Sequence, residues 1–270
     1  MSVTRTVLEI RKFAIAQATC AGSQNFLGAP WVAPVIDHSP ELFRQKMALR
    51  LLSLSPHYFS GADVAAEAER NRASRQALAE QLIAPHLDPA ARVIDYGCGP
   101  GYLARAVADR VAHVDAVDIS VGVLACARAI NGRPNITYLT PVQLRRQRDL
   151  ADLAYSVAVA QHLSTAALAQ VLTLLAARIR GGGRLLLHFA VPGPAGWRTE
   201  TDWRTDRSLA SRAKLRYGLH CFGRTPREMQ VLTRHAGFID IEVQELAGRP
   251  EVPGGDVTGQ HLLLATRVGR

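Results

Sequence analysis

The chain has 270 residues and carries 32 Lys+Arg against 23 Asp+Glu, a formal charge of +9 at neutral pH. Its hydrophobic fraction of 48% is too high for a disordered chain, and no run of ~18 apolar residues offers a membrane span. At ~150 residues per domain, the length suits two domains or one α/β domain with an added cap. Only Lys12, Lys46 and Lys214 are lysines, so 29 of the 32 basic residues are arginines scattered along the chain. A nucleic-acid face needs clustering on one surface, so the arginines read first as solubilising charge.

The N-terminal stretch places Glu9, Arg11 and Lys12 where a signal peptide needs an unbroken apolar run, so export by that route is not expected. The cysteines are Cys20, Cys98, Cys126 and Cys221, with no C-x-x-C pair. Zinc-ribbon and thioredoxin spacings are absent, and reduced thiols in a cytoplasmic protein are expected. Residues 1–88 read as a helical N-terminal cap. Ser39-Pro40-Glu41 has the form of a helix start, a loop follows at 55–61, and a longer helix is expected over about 62–83.

From residue 91 short apolar runs alternate with helical patterns. Strands are expected at 92–96, 113–118, 135–139, 153–158 and 184–190, with helices at 102–111, 121–130 and 165–179. That alternation predicts an α/β fold with a mostly parallel sheet. Residues 191–224 interrupt it with Pro, Gly, Trp and charge, long enough to suggest a lid or binding segment. Thr225-Pro226-Arg227-Glu228 restarts a capped helix, and 238–245 and 260–266 supply the last two strands.

The first strand runs into Asp95-Tyr96-Gly97-Cys98-Gly99-Pro100-Gly101-Tyr102. Three glycines between strand and helix let a ligand approach the backbone. The dinucleotide fingerprint G-x-G-x-x-G fails, because Tyr102 occupies its third glycine slot, and the P-loop G-K-[ST] is absent. The pattern D-x-G-x-G-x-G resembles the first motif of the class I S-adenosylmethionine-dependent methyltransferases. Their second marker, an acid ending the second strand, is matched by Asp118 in His113-Val114-Asp115-Ala116-Val117-Asp118-Ile119. Later landmarks follow in order: the fourth-strand segment 152–163, the turn Gly181-Gly182-Gly183, the His235-Ala236-Gly237-Phe238 junction and the last strand at 260–265. The resemblance covers about residues 89 to 268.

It implies a Rossmann-like methyltransferase fold, a seven-stranded mostly parallel sheet with an antiparallel last strand, over 89–270, with a cap insertion at 191–224. It also implies S-adenosylmethionine as cofactor, held by Gly97, Gly99 and Gly101. Asp95 would lie near its methionine end, and Asp118 would accept both ribose hydroxyls with Ile119 beside it. After the third strand the family's acid for the adenine amino group is missing, and Gln143 or a backbone carbonyl would stand in.

The acceptor is read from what is present and absent. No Asp-Pro-Pro-Tyr or Asn-Pro-Pro-Tyr follows the fourth strand, against methylation of DNA-base or glutamine amino groups, and no Pro-Cys pair supports a cytosine ring-carbon mechanism. A hydroxyl acceptor needs a base. His162, beyond the fourth strand, and His188, late in the fifth, are the candidates, with His57 and His220 in the cap segments. Grouped carboxylates with an Asn are not found, so no metal is assigned. Tyr58, Phe59, Trp197, Trp203 and Tyr217 offer aromatic faces, and Tyr58, Trp197 and His220 are assigned to the substrate side. The overall likeness is to actinobacterial O-methyltransferases of sugars or secondary metabolites, so the expected partner is a small molecule such as a sugar, oligosaccharide or mannoside. Polysaccharide biosynthesis is the matching role. Neither nucleic acid nor membrane is expected as a partner, and a homodimer is compatible with this reading. An RNA methyltransferase, an N-methyltransferase of a secondary metabolite and a non-catalytic S-adenosylmethionine binder remain alternatives.

Overall fold

Val93 and Ile94 are apolar on both sides of a five-residue run, as a parallel strand covered on both faces requires. In the computed structural model, which describes residues 26–55, 58, 63–193, 197–216, 220–246 and 259–269, this run is β1 (Arg92–Tyr96). With β2 (His113–Val117), β3 (Ile136–Leu139), β4 (Ala151–Ser156), β5 (Ile179–Ala190), β6 (Phe238–Glu245) and β7 (Gln260–Arg267) it forms one sheet in the order β3-β2-β1-β4-β5-β7-β6. The first five strands pair in parallel, and β7 lies antiparallel between β5 and β6. This is the expected seven-stranded Rossmann-like methyltransferase fold.

Strand alternation divides the core. Val93, Tyr155, Leu186 and Leu262 face one layer with Leu78, Leu82 and Val107. Ile94, Ala154, Leu185 and Leu263 face the other with Leu168, Leu172 and Met229. At the amino edge of the sheet, Arg92 donates two hydrogen bonds to buried Asp115 (2.8 and 2.9 Å), and its backbone N–H donates to Asp152 (2.7 Å). The polar groups of that edge thus pair with one another, while the opposite, carboxyl edge carries the loops.

Among the described residues three α-helices precede the sheet: α1 (Val32–Asp37), α2 (Glu41–Ser53) and α3 (Val64–Leu78). Ser39 does not cap α2 as its sequence suggested. Pro40 takes that position, and the Ser39 hydroxyl donates instead to the Val35 carbonyl (2.6 Å). Asp63 caps α3 through the Ala65 and Ala66 amides (3.0 Å each). The expected helix over 62–83 is α3 followed by a π-helical stretch, Ala79–Ile83. Helices α4 (Tyr102–Ala108), α5 (Val121–Asn131) and α7 (Thr165–Arg178) lie near their predicted spans. The first two carry the N-terminal cap: α1 and α2 pack on α5, and α3 on α4.

Helix α6 (Pro141–Arg146) was not anticipated. Pro141 opens it rather than breaking it, and Thr140 and Gln143 form a capping box. The insertion holds α8 (Glu200–Thr205) and α9 (Leu209–Arg216), and α10 (Pro226–His235) follows. Among the described residues no helix is long and apolar enough to cross a membrane.

Candidate functional site

The parallel strands deliver their carboxyl ends to one edge, and the strand order reverses between β1 and β4. Ligands of open α/β sheets bind at such a crevice. The glycine loop leaves β1 here. Gly97, Gly99 and Gly101 have φ of 79°, 52° and 80°. The Gly97 and Cys98 amides both donate to the Val117 carbonyl (2.7 and 2.9 Å), binding the loop to the end of β2. A Cβ on Gly97 would lie 2.2 Å from Val159, and one on Gly101 would lie 2.5 Å from the Tyr138 hydroxyl. Neither position admits a side chain, on both backbone and steric grounds. The Tyr58 ring covers Gly99, 3.2 Å from where its Cβ would stand.

Asp118 sits just past β2, half-buried. One carboxylate oxygen accepts from the Gly99 amide (3.1 Å), the other from the Ser120 amide (2.9 Å). The acid therefore orders the loop, and burial pushes its pKa up against these bonds. Ile119 beside it is 83% exposed at the open edge. The side-chain oxygen of Gln143 is engaged at home, accepting from the Thr140 amide (2.8 Å) and hydroxyl (3.0 Å), so its NH2 group takes no part in the cap.

Asp95 points to the α3 face of the sheet and is 2% exposed, with Oδ2 lacking a hydrogen-bond partner among the described residues. Burial lifts its carboxyl to about 8. The Asp118 charge adds to the rise, and the Tyr155 hydroxyl, the Ala104 amide and Arg75 oppose it.

The turn after β4 holds the histidines. Ala158 has φ of 59°, rare for a residue with a Cβ, and its N–H donates to His188 Nδ1 (3.2 Å). An Nδ1 that accepts leaves the proton of the neutral ring on Nε2. Burial lowers the His188 pKa to about 4, with Gln260 opposing. His188 is thus a neutral donor.

His162 is set the other way. Its Nδ1–H donates to the His220 carbonyl (2.9 Å), which puts the lone pair of the neutral ring on Nε2. His220 returns the bond, Nε2 to the His162 carbonyl (3.3 Å). It is buried against Phe222 and Trp203, and that burial lowers its pKa.

The insertion is docked beside this pair. The Phe222 amide donates to Gln161 (2.7 Å), Arg224 to the Ala160 and Leu163 carbonyls, and Glu200 accepts from the Thr165 amide (2.7 Å) and hydroxyl (2.9 Å). Trp203 is the buried tryptophan and donates to the Cys221 carbonyl (2.8 Å). Trp197 is half-buried at the start of the insertion, its carbonyl accepting from Gly193 (3.2 Å). His57, Phe59, Tyr217 and Cys20 lie outside the described residues.

The edge therefore gathers Gly97, Gly99, Gly101, Asp118, Tyr58 and the turn that bears His162. Asp95 and His188 lie buried beneath, and Gln143 stands apart on its helix cap. Sequence reading passed over Arg75 on α3 and Gln260 on β7. Nothing marks Arg75 out among the other arginines of its helix, and Gln260 reads as an ordinary strand residue. Among the described residues no group of three or more His, Cys, Asp or Glu side chains could hold a metal ion.

A family model described as a methyltransferase domain matches residues 93–183, from β1 to the glycine turn of β5. The chain is 44% identical over 52 residues to N-demethylindolmycin N-methyltransferase of Streptomyces griseus, covering 19% of this chain and 22% of that protein. It is 31% identical over 138 residues to ribosomal protein L11 methyltransferase of Cupriavidus taiwanensis, covering 48% and 45%. The matches therefore span less than half the length of these curated relatives. Among solved structures, an S-adenosylmethionine-dependent methyltransferase from Mesorhizobium loti superimposes with a TM-score of 0.51 at 25% identity, over 70% of this chain and 96% of that one. Residues 93–183 thus match a methyltransferase domain, and the sheet has the fold of the class I S-adenosylmethionine-dependent methyltransferases.

Proposed function

We propose that this chain transfers the methyl group of S-adenosylmethionine to a hydroxyl of a small molecule, with His162 as the base. The residues present fit the cofactor. The loop offers backbone without side chains at three positions, Asp118 is fixed at its rim, and Asp95 holds a buried oxygen in want of a donor. When bound, the cofactor supplies a methyl on a sulfonium, already activated for in-line displacement. What remains for the chain is alignment and removal of a proton. Gly97, Gly99 and Gly101 would admit the cofactor to the backbone, Asp118 and Ile119 would flank its ribose, and the NH2 group of Gln143 or a backbone carbonyl would stand in for the missing adenine acid.

The observation that supports a hydroxyl acceptor is the fixed tautomer of His162. A carbonyl on Nδ1 leaves Nε2 able to take a proton, and the reciprocal bond from His220 holds both rings in place. His188 has the opposite tautomer and would donate a hydrogen bond rather than accept a proton. Tyr58, over the glycine loop, and Trp197 and His220, in the insertion, would shape the acceptor's side. A sugar or oligosaccharide is the first acceptor class to assay.

The test is transfer of label from methyl-labelled S-adenosylmethionine to a panel of polyhydroxylated acceptors. Wild type should label at least one. His162→Ala should lower kcat by roughly 100- to 10,000-fold with S-adenosylhomocysteine affinity unchanged. Turnover within a few-fold of wild type would remove His162 as base. It would favour a nitrogen acceptor, the second reading, which the short 44% match to an N-methyltransferase supports.

A further inference from the structure

We propose that Arg224, at the end of the insertion, is a positioning residue: it shapes the turn that carries His162 and so sets which ring nitrogen of His162 holds the proton. Its catalytic consequence rests on the reading of His162 as base. The turn is the 3-10 stretch Ala160–His162 after β4, closed by Leu163. Its four successive carbonyls, from Ala160 to Leu163, all accept from one short segment, 220–224. Arg224 Nη1 donates to Ala160 (2.8 Å), the Phe222 amide to Gln161 (2.7 Å), His220 Nε2 to His162 (3.3 Å), and Arg224 Nη2 to Leu163. The His220 carbonyl in turn takes the Nδ1–H of His162 (2.9 Å). The imidazole therefore sits inside a grip that the insertion supplies.

Arg224 spans that grip. Its two Nη atoms hold carbonyls three residues apart, on either side of Gln161 and His162. A rigid planar fork can do this, and the single ammonium of a lysine cannot. The fork is anchored to the sheet, because the Arg224 amide donates to the Ala190 carbonyl (2.8 Å) at the end of β5. The residue is 4% exposed, and burial lowers its pKa. Among the described residues Glu200 is the carboxylate within ion-pair reach of it, at 3.9 Å, and Glu200 is itself held by the Thr165 amide and hydroxyl at the start of α7. A buried cation is costly to desolvate. Here it is held mainly by backbone carbonyls, and what it secures is one shape for the turn.

Without the fork, the Ala160 and Leu163 carbonyls each lose a charge-assisted donor. The turn then shifts against 220–224, and the bond from His162 Nδ1 to the His220 carbonyl weakens. An imidazole with no acceptor at Nδ1 favours the Nε2–H form. That form presents a proton where a base must present a lone pair.

Long-range 1H–15N correlation spectra of the full labelled chain at about pH 8 read the tautomer directly, with His162 assigned by its loss in His162→Gln. Wild type should show His162 in the Nδ1–H form. Arg224→Lys should move it toward the Nε2–H form and lower kcat roughly a hundredfold, with acceptor KM and S-adenosylhomocysteine affinity within a few-fold of wild type. Glu200→Ala, at a more exposed position, should shift the tautomer the same way to a smaller extent, and it carries the test if Arg224→Lys does not fold. An Nε2–H form in wild type overturns the proposal, as does an unchanged tautomer in whichever variant folds. Loss of cofactor affinity in step with kcat would mark Arg224 as a general structural residue and overturn it too. If the tautomers behave as expected but wild type methylates no hydroxyl acceptor, the base reading fails and the positioning of His162 stands.

Discussion

Asp95→Asn should make the ligand-free protein more stable, and increasingly so as pH rises. The folded state lifts the Asp95 carboxyl from 3.8 to about 8, chiefly by burial. The folded chain therefore holds this proton more tightly than the unfolded chain. The resulting stability is fully present below about pH 4 and is lost as pH climbs to about 8, beyond which the difference is constant. At about 1.4 kcal/mol per pH unit, the loss has a ceiling of about 6 kcal/mol. Asn keeps the shape and cannot ionise, so it escapes this loss. Even a third of the ceiling, about 2 kcal/mol, moves Tm by roughly 4–8 °C in a chain of this size. The assay is a set of thermal melts of both proteins from pH 4 to 9. The curves should coincide at the acid end and separate steadily toward pH 8. If the two proteins run parallel, or if wild type gains on the variant as pH rises, Asp95 is not a strained buried acid. The same residue should report on binding. If Asp95 meets an ammonium, S-adenosylhomocysteine at pH 7 should release a proton in wild type, seen as a dependence of the binding heat on buffer ionisation enthalpy, and none in Asp95→Asn.

Gly101→Ala should destabilise by at least ~1–2 kcal/mol from its left-handed backbone alone, with more from a Cβ set 2.5 Å from the Tyr138 hydroxyl. Tyr138→Phe in that background should recover part of the steric cost, as read by melts, because the ring carbons remain 3.0 and 3.2 Å from that Cβ. His188 is buried neutral with its pKa lowered to about 4, so its own contribution to stability falls as pH drops from about 6.5 to 4, and His188→Gln should gain on wild type in melts over that range. Asp118→Ala should weaken S-adenosylhomocysteine roughly tenfold to a hundredfold; unchanged affinity by calorimetry would remove Asp118 from the site.

The sheet was legible because parallel strands covered on both faces must be short and apolar, and the expected 92–96 matches β1 to the residue; the antiparallel edge strand 238–245 also matches its expected span. The glycine loop was legible because three positive φ angles demand glycine. Helix α6 was missed although its signal stood in plain sight: Thr140-Pro141-Val142-Gln143 is a capping box around a first-turn proline. The insertion, by contrast, could not be read. It holds its place through the Phe222 and Arg224 amides, bonded to the Gln161 and Ala190 carbonyls, and through the Arg224 and Glu200 side chains, whose partners are mostly backbone groups, and bonds to backbone leave no pattern in the partner side chains. The same limit hid the tautomers of the two histidines. His162 follows β4 and His188 lies within β5, and only the partner on Nδ1, a carbonyl for His162 and an amide for His188, sets which ring nitrogen carries the proton.

The most direct test of cofactor use is a calorimetric titration of the purified chain with S-adenosylhomocysteine, with NAD titrated in parallel. Saturable binding of one S-adenosylhomocysteine per chain, with no heat from NAD, is the predicted result. The D-x-G-x-G-x-G loop with Asp118 at its rim is built for the first ligand, and Tyr102 stands where the dinucleotide fingerprint needs glycine. Binding of NAD, or no binding of S-adenosylhomocysteine by folded protein, would contradict it.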